Sequence, residues 1–281
     1  IKTVPSAGYK ALVIHNEASN FSVGANIGLA LFAANIAGWP EISKSVKQGQ
    51  DTYKALKYAP FPVVGAPSGM ALAGGMEVLL HCDALQAHAE TYMGLVEVGV
   101  GLVPAWGGCK EMLARWQGNT RAPQGPMPAV TKVFETVGTA MVARSAEEAR
   151  DMLYLRQDDG ITMNRDRLLG DAKARALQMA KGYAAPEPLE YRLPGPTAET
   201  AMTMVLNDYY RSGKATTHDL VVGKSLARVL SGGKTDITEL LTEDHILSLE
   251  IDSFMPEEPG LDDVCTEYPF NEFVRFGTLY R

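Results

Sequence analysis

Val63-Val64-Gly65-Ala66-Pro67-Ser68-Gly69-Met70-Ala71-Leu72-Ala73-Gly74-Gly75-Met76-Glu77 is the stretch on which the fold turns. Its first four residues are a short apolar run with β-branched members, which predicts a buried strand. After a loop, Gly74 and Gly75 open a helix running through Leu80. A helix start carries N–H groups without intrahelical partners and the positive end of the dipole. Taken alone, the glycine pair suits close helix–sheet packing as well as it suits an oxyanion. The stretch closes on Glu77. Twenty residues further on, Glu97 lies in Met93-Gly94-Leu95-Val96-Glu97-Val98-Gly99-Val100-Gly101. A carboxylate in glycine-rich, apolar company is costly to bury. Two of them suggest proton transfer: paired carboxylates can share a water while nearby glycine amides hold a developing negative charge.

Working outward, residues 10–15 read as another buried strand. The segment Phe21-Ser22-Val23-Gly24-Ala25-Asn26 then leads into helical patterns over 29–36 and 42–58, the second ended by Pro60 and Pro62. A third strand is expected at 84–87, an irregular region at 92–108 and a helix at 108–116. Short apolar strands alternating with helices indicate an α/β architecture with at least a partly parallel sheet. Residues 117–128 are rich in Gly, Pro and Gln and read as a linker. Everything beyond is helical in pattern. Ser145 and Glu148 form a capping box for a helix to about residue 155. Helices are also expected at 164–181 with Gly182 as the C′ residue, 197–210, 218–230 with Gly232-Gly233 at its end, and 243–254. The expected division is a catalytic core over 1–116, a helical region over 117–255 and a tail over 256–281 with no assigned role.

Composition narrows the function classes. With 26 basic and 33 acidic residues the net charge is -7, and no Lys/Arg-rich run offers a nucleic-acid footprint. The longest apolar stretch, residues 27–39, contains Asn35 and falls short of the about 20 residues that a membrane span needs. No signal peptide is visible, so a cytoplasmic location is expected. Cys82, Cys109 and Cys265 are too scattered for a disulfide framework or a zinc site. The histidines lack metal-ligand spacing, and no metal is expected. Gly99-Val100-Gly101 is not a dinucleotide fingerprint, because Pro104 occupies its third glycine position. A G-x-S-x-G nucleophile elbow is absent. The chain opens on Ile1 with a strand close behind, which is expected of a piece cut from a longer polypeptide.

F-S-V-G-A-N after a strand, then P-V-V-G-A-P-S-G-M-A-L-A-G-G-M-E, then Y-M-G-L-V-E-V-G-V-G-L-V-P-A-W-G-G together resemble the crotonase (enoyl-CoA hydratase/isomerase) superfamily. The likeness is tight over residues 10–116 and looser through S-A-E-E-A-R-D-M-L. It is strongest to the hydratase portion of a long bacterial 3-hydroxyacyl-CoA dehydrogenase. Asn26 stands where that family usually has an acid, Val96 where proline often precedes the second glutamate, and the family's first strands are missing ahead of Ile1.

The resemblance implies a crotonase-like ββα spiral core, N-terminally truncated, with a helical C-terminal region. It implies that the N–H groups of Ala25 and Gly74 form the oxyanion hole. Glu77 would be the base that activates water and Glu97 the acid that protonates the α-carbon. Gly24, Asn26, Ile27, Gly75, Met76, Leu95, Val96, Pro104, Gly107 and Gly108 would line the substrate. The reaction implied is hydration of a trans-2-enoyl-CoA in fatty-acid β-oxidation. No cofactor is needed for it beyond the coenzyme A of the acyl-CoA substrate, and NAD enters only with a dehydrogenase module elsewhere in the parent polypeptide. Partners would be that module or further copies of the chain. Two alternatives stay open: a Δ3,Δ2-enoyl-CoA isomerase, and a non-catalytic acyl-CoA-binding or docking module.

Overall fold

The computed structural model describes residues 1–254. Cys265 and the tail expected at 256–281 lie outside the described residues. The elements begin with α1 (Thr3–Ser6), β1 (Leu12–His15), α2 (Ile27–Asn35), α3 (Trp39–Lys57), β2 (Val63–Ala66) and β3 (Met70–Leu72). Next come α4 (Gly74–Leu80), β4 (Ala84–His88), β5 (Tyr92–Gly94), a 3-10 helix (Glu97–Val100), α5 (Gly108–Gln117) and α6 (Pro126–Gly138). They are followed by α7 (Ala146–Asp151), β6 (Gly160–Thr162), a second 3-10 turn (Arg165–Arg167) and α8 (Leu168–Met179). The last are β7 (Glu190–Tyr191), α9 (Pro196–Arg211), α10 (Thr217–Ser231), β8 (Leu241–Thr242) and α11 (Glu243–Phe254).

These elements group into two units. The first takes Ile1–Ala25, Gly49–Leu95 and Met141–Pro188; the second takes Asn26–Gln48, Val96–Ala140 and the chain from Leu189 onward. In the first unit β1, β2, β4 and β6 form a sheet in the order β1-β2-β4-β6, with every neighbouring pair parallel. Strand alternation sends successive side chains to opposite faces. On one face Val64, Ala66 and Ala84 pack against Leu168, Ala172 and Ala176, a stripe of every fourth residue on α8. On the other, Gly65 leaves room for α4: a Cβ there would lie 2.5 Å from a Leu79 methyl and 2.7 Å from a Leu85 methyl. Leu79 and Leu85 on this face are wholly buried, each contributing about 1.5–3 kcal/mol, which anchors α4 against the sheet. β3 and β5 form a separate parallel pair.

The second unit is mainly helical. Val130, Val133 and Val137 of α6 and Val222, Leu226, Val229 and Leu230 of α10 are buried at helical spacing. α9 lies close on α10 because Gly223 has no side chain: a Cβ would stand 2.6 Å from a Leu206 methyl. The antiparallel pair β7–β8 also belongs here.

The parallel α/β architecture matches the expectation, and Gly232 caps α10 with a left-handed φ of 85°. The helix expected over 164–181 is shorter, since α8 ends at Met179 with Ala180 as its C-cap, and Gly182, with φ 77°, lies beyond the C′ position expected for it. The region beyond 128 is not helical throughout. β6 comes from it and pairs with β4, and β7 and β8 lie in it too. Strands of two or three residues carry no readable periodicity, so partner strands decide them. Residues 92–108 are likewise not wholly irregular, since they hold β5 and the 3-10 helix, and α6 starts inside the expected linker. Ser145 does accept from the Glu148 N–H at 3.2 Å, but Glu148 reaches back to the Arg144 N–H, and the helix stops at Asp151.

Candidate active site

The first unit brings two glycine turns together. Ser22 runs parallel to β3, donating its N–H to the Met70 carbonyl at 3.0 Å and accepting from the Leu72 N–H at 2.9 Å. Gly24 then turns with φ 93°, a left-handed value that suits glycine, and its N–H donates to Ser22 Oγ at 3.2 Å. A Cβ on Gly24 would lie 3.0 Å from Ala73 Cβ and 3.1 Å from the Gly74 nitrogen. The Gly24 turn therefore rests directly on the Ala73–Gly74 peptide.

Ala73 caps α4 from the other side. Its N–H donates to the Gly94 carbonyl at 2.9 Å, and its own carbonyl accepts from Met76 and Glu77 at 2.7 and 3.0 Å. Gly74 N–H is thereby the first amide of the helix. Gly75 is required by contact: a Cβ would stand 2.4 Å from the Ser22 carbonyl oxygen. Glu77 is 3% exposed in the first turn of α4, where the helix dipole favours its anion. Met76 beside it is wholly buried, as is Leu95, whose N–H donates to the Tyr154 hydroxyl at 3.2 Å.

Two residues that sequence reasoning did not single out brace this helix. Tyr53 of α3 donates its hydroxyl to the Gly74 carbonyl at 3.3 Å, and its ring lies against that of His81 at 5.5 Å. His81 Nδ1 is 2.7 Å from the Glu77 carbonyl oxygen. Burial, then the nearby Glu77 carboxylate and Cys82, push the Tyr53 hydroxyl well above its ordinary pKa, so it remains a donor at any physiological pH. A tyrosine on an amphipathic helix carries no sequence mark of that duty.

Ala73 adopts φ 51° and ψ -128°, a conformation that disfavours any side chain. Such strain costs on the order of 1–3 kcal/mol and collects at functional turns. Ala73→Gly is expected to stabilise the protein by about 1 kcal/mol, the relief being partly offset by a more flexible unfolded chain. Urea unfolding midpoints check this; an unchanged or lower midpoint removes the strain argument.

The remaining expected site residues belong to the second unit. Glu97 begins the 3-10 helix after Val96 and is 9% exposed. Its carbonyl accepts from the Leu102 N–H at 3.0 Å, and the turn ends at Gly101 with φ 79°. His218 packs there so closely that a Cβ on Gly101 would lie 2.6 Å from its Nε2. Asn26 caps α2, its Oδ1 accepting from the Gly28 N–H at 3.0 Å, and Ile27 opens that helix. An asparagine caps as well as an acid would, which accounts for its place there structurally. Pro104, Gly107 and Gly108 are buried at the approach to α5. Among the described residues no three His, Cys, Asp or Glu side chains come together as a metal site, and no helix is long and apolar enough to cross a membrane.

A parallel α/β unit in which two glycine turns meet at the start of a glutamate-bearing helix is the crotonase fold, and solved structures agree. An enoyl-CoA hydratase/isomerase from Mycobacterium paratuberculosis superposes with a TM-score of 0.58 at 18% identity, covering 98% of this chain and 83% of that one. An enoyl-CoA hydratase described as putative, from Streptomyces coelicolor A3(2), gives 0.53 at 21% identity over 64% of this chain and 60% of that one. Residues 5–129 match the enoyl-CoA hydratase/isomerase family. A probable 3-hydroxyacyl-CoA dehydrogenase of Bacillus subtilis is 39% identical over 248 residues, 88% of this chain. A fatty acid oxidation complex trifunctional enzyme of Rickettsia prowazekii, also described as putative, is 33% identical over 168 residues, 58% of this chain. The chain spans 31% and 22% of the length of these two relatives.

Proposed function

We propose that this chain hydrates trans-2-enoyl-CoA to 3-hydroxyacyl-CoA in fatty-acid β-oxidation, as the hydratase module of a polypeptide that also carries a 3-hydroxyacyl-CoA dehydrogenase. The observation that supports it most is the seating of Gly24 on the Ala73–Gly74 peptide, at the start of the helix that buries Glu77. On this reading the thioester oxygen accepts from the Ala25 and Gly74 N–H groups as charge moves onto it. Glu77 takes a proton from water, the hydroxide adds to the β-carbon, and Glu97 returns a proton to the α-carbon. One water is consumed and no electrons are exchanged, so the step calls for no redox cofactor. NAD would serve the dehydrogenase module.

The relatives' names favour the β-oxidation setting, and both glutamates stand in the motifs where the family's hydratases carry theirs. Incubation with crotonyl-CoA is expected to remove the absorbance of the conjugated enoyl thioester and yield the 3-hydroxy product. Conversion of a 3-enoyl thioester without hydrated product would establish the isomerase reading instead. Binding of both thioesters without turnover of either would leave a docking module.

A further inference from the structure

We infer that Glu250, on the C-terminal helix α11, is a positioning residue that anchors the segment leading from Glu97 to α5. The inference rests on the reading of Glu97 as the catalytic acid. Gly107, the N-cap of α5, has φ 94° and no side chain to cap the first amides of the helix. Those amides need acceptors from elsewhere. Glu250 supplies two: Oε2 accepts from the Gly107 N–H at 2.7 Å and Oε1 from the Lys110 N–H at 3.1 Å.

The arrangement is wholly buried, since Glu250 and Lys110 are both 0% exposed. A carboxylate out of water is stabilised there by charge-assisted bonds to a helix N-terminus. Lys110 Nζ donates to Glu111 and, at 3.2 Å, to Glu243. Glu243 is the first residue of α11, and Glu250 follows two turns later on the same face. α11 is thus tied to the start of α5 at two points. Carboxylates packed in a dry interior raise the Lys110 pKa against the effect of its burial, so the ammonium stays charged.

The anchored point lies one short segment from the proposed acid. Glu97 opens the 3-10 helix, its carbonyl holds the Leu102 N–H, and Val103, Pro104 and Ala105 are buried on the way to Gly107. No regular element intervenes to absorb a shift. Loosening Gly107 therefore lets the backbone that carries Glu97 relax, and misplacement by about 1 Å can cost about 10²-fold in rate.

The test uses the full chain with Glu250→Gln, which keeps one acceptor but sets an NH₂ group against the second amide. Leu226→Ala in the α10 core serves as a control of comparable stability loss, and Glu97→Gln is assayed alongside. Hydrogen exchange in Glu250→Gln is expected to quicken selectively over residues 97–110, with kcat for crotonyl-CoA lowered about 10²-fold and KM unchanged. Leu226→Ala should do neither at a temperature where both are folded. Unchanged exchange over 97–110, the same pattern in Leu226→Ala, or a parental kcat in Glu250→Gln while Glu97→Gln is inactive would each overturn the inference. Parental activity in Glu97→Gln would sink the reading of Glu97 instead, with exchange still deciding the anchor. If Glu250→Gln does not fold, Glu250→Asp, which keeps the charge but shortens the reach, must give the same selective exchange.

Discussion

Glu97→Gln is expected to hydrate crotonyl-CoA about 10²–10⁴-fold more slowly than the parent while binding acyl-CoA normally. Glutamine keeps the size and the polar contacts of the side chain but cannot exchange a proton. Glu77→Gln should fall by a similar factor for the complementary reason, since it leaves water without its base. Groups that act as one unit do not lose rate additively. The double variant is therefore expected to be hardly slower than either single one. Steady-state kinetics of all three, with binding of a saturated acyl-CoA measured separately, decide the matter. Losses that multiply in the double variant would break the idea of a shared water, and a parental rate in either single variant would remove that residue from the mechanism.

Gly75→Ala is expected to damage both stability and rate, against the usual rule for helices. In an exposed helix interior, replacing glycine by alanine stabilises by about 0.5–1 kcal/mol. At Gly75 the new methyl would sit 2.4 Å from the Ser22 carbonyl oxygen and 2.7 Å from Ser22 Cβ. The oxygen is backbone and cannot swing aside, so overpacking should cost about 1–3 kcal/mol. The functional consequence follows from what Ser22 carries. Pushing it away from α4 lifts Gly24 off the Ala73–Gly74 peptide and carries Ala25 with it, and an oxyanion hole that loses a donor forfeits about 2.7–4 kcal/mol of transition-state stabilisation. Gly170→Ala in α8 is the control, because a Cβ there meets nothing within 4 Å. It should stabilise the protein with no effect on kcat. A Gly75→Ala protein as active as the parent would show that the two turns are not coupled through this contact.

The parts of the fold that were legible in the sequence share a physical trait: their conformation is dictated locally. β2 lies in a parallel sheet and is buried at every residue, so it appears as an unbroken apolar run. Gly232 marks the end of α10 because only a residue without a Cβ enters the left-handed region at no cost. The start of α4 was readable for a similar reason. β6 was not, since three residues take strand form only when β4 offers its edge. Tyr53 gave no sign of its role, because its hydroxyl finds the Gly74 carbonyl across twenty-one residues of chain. Lys110, Glu111, Glu243 and Glu250 carry no local mark of burial, yet all four are buried.

What the sequence determined alone was where the chain turns, where its helices begin and which carboxylates stand in apolar company. Which charges leave water was decided only by the tertiary structure. Desolvation depends on neighbours brought from distant segments, as when α11 delivers Glu250 to the start of α5. No local pattern encodes that encounter, because the energy of a buried carboxylate is set by donors that the surrounding residues do not supply.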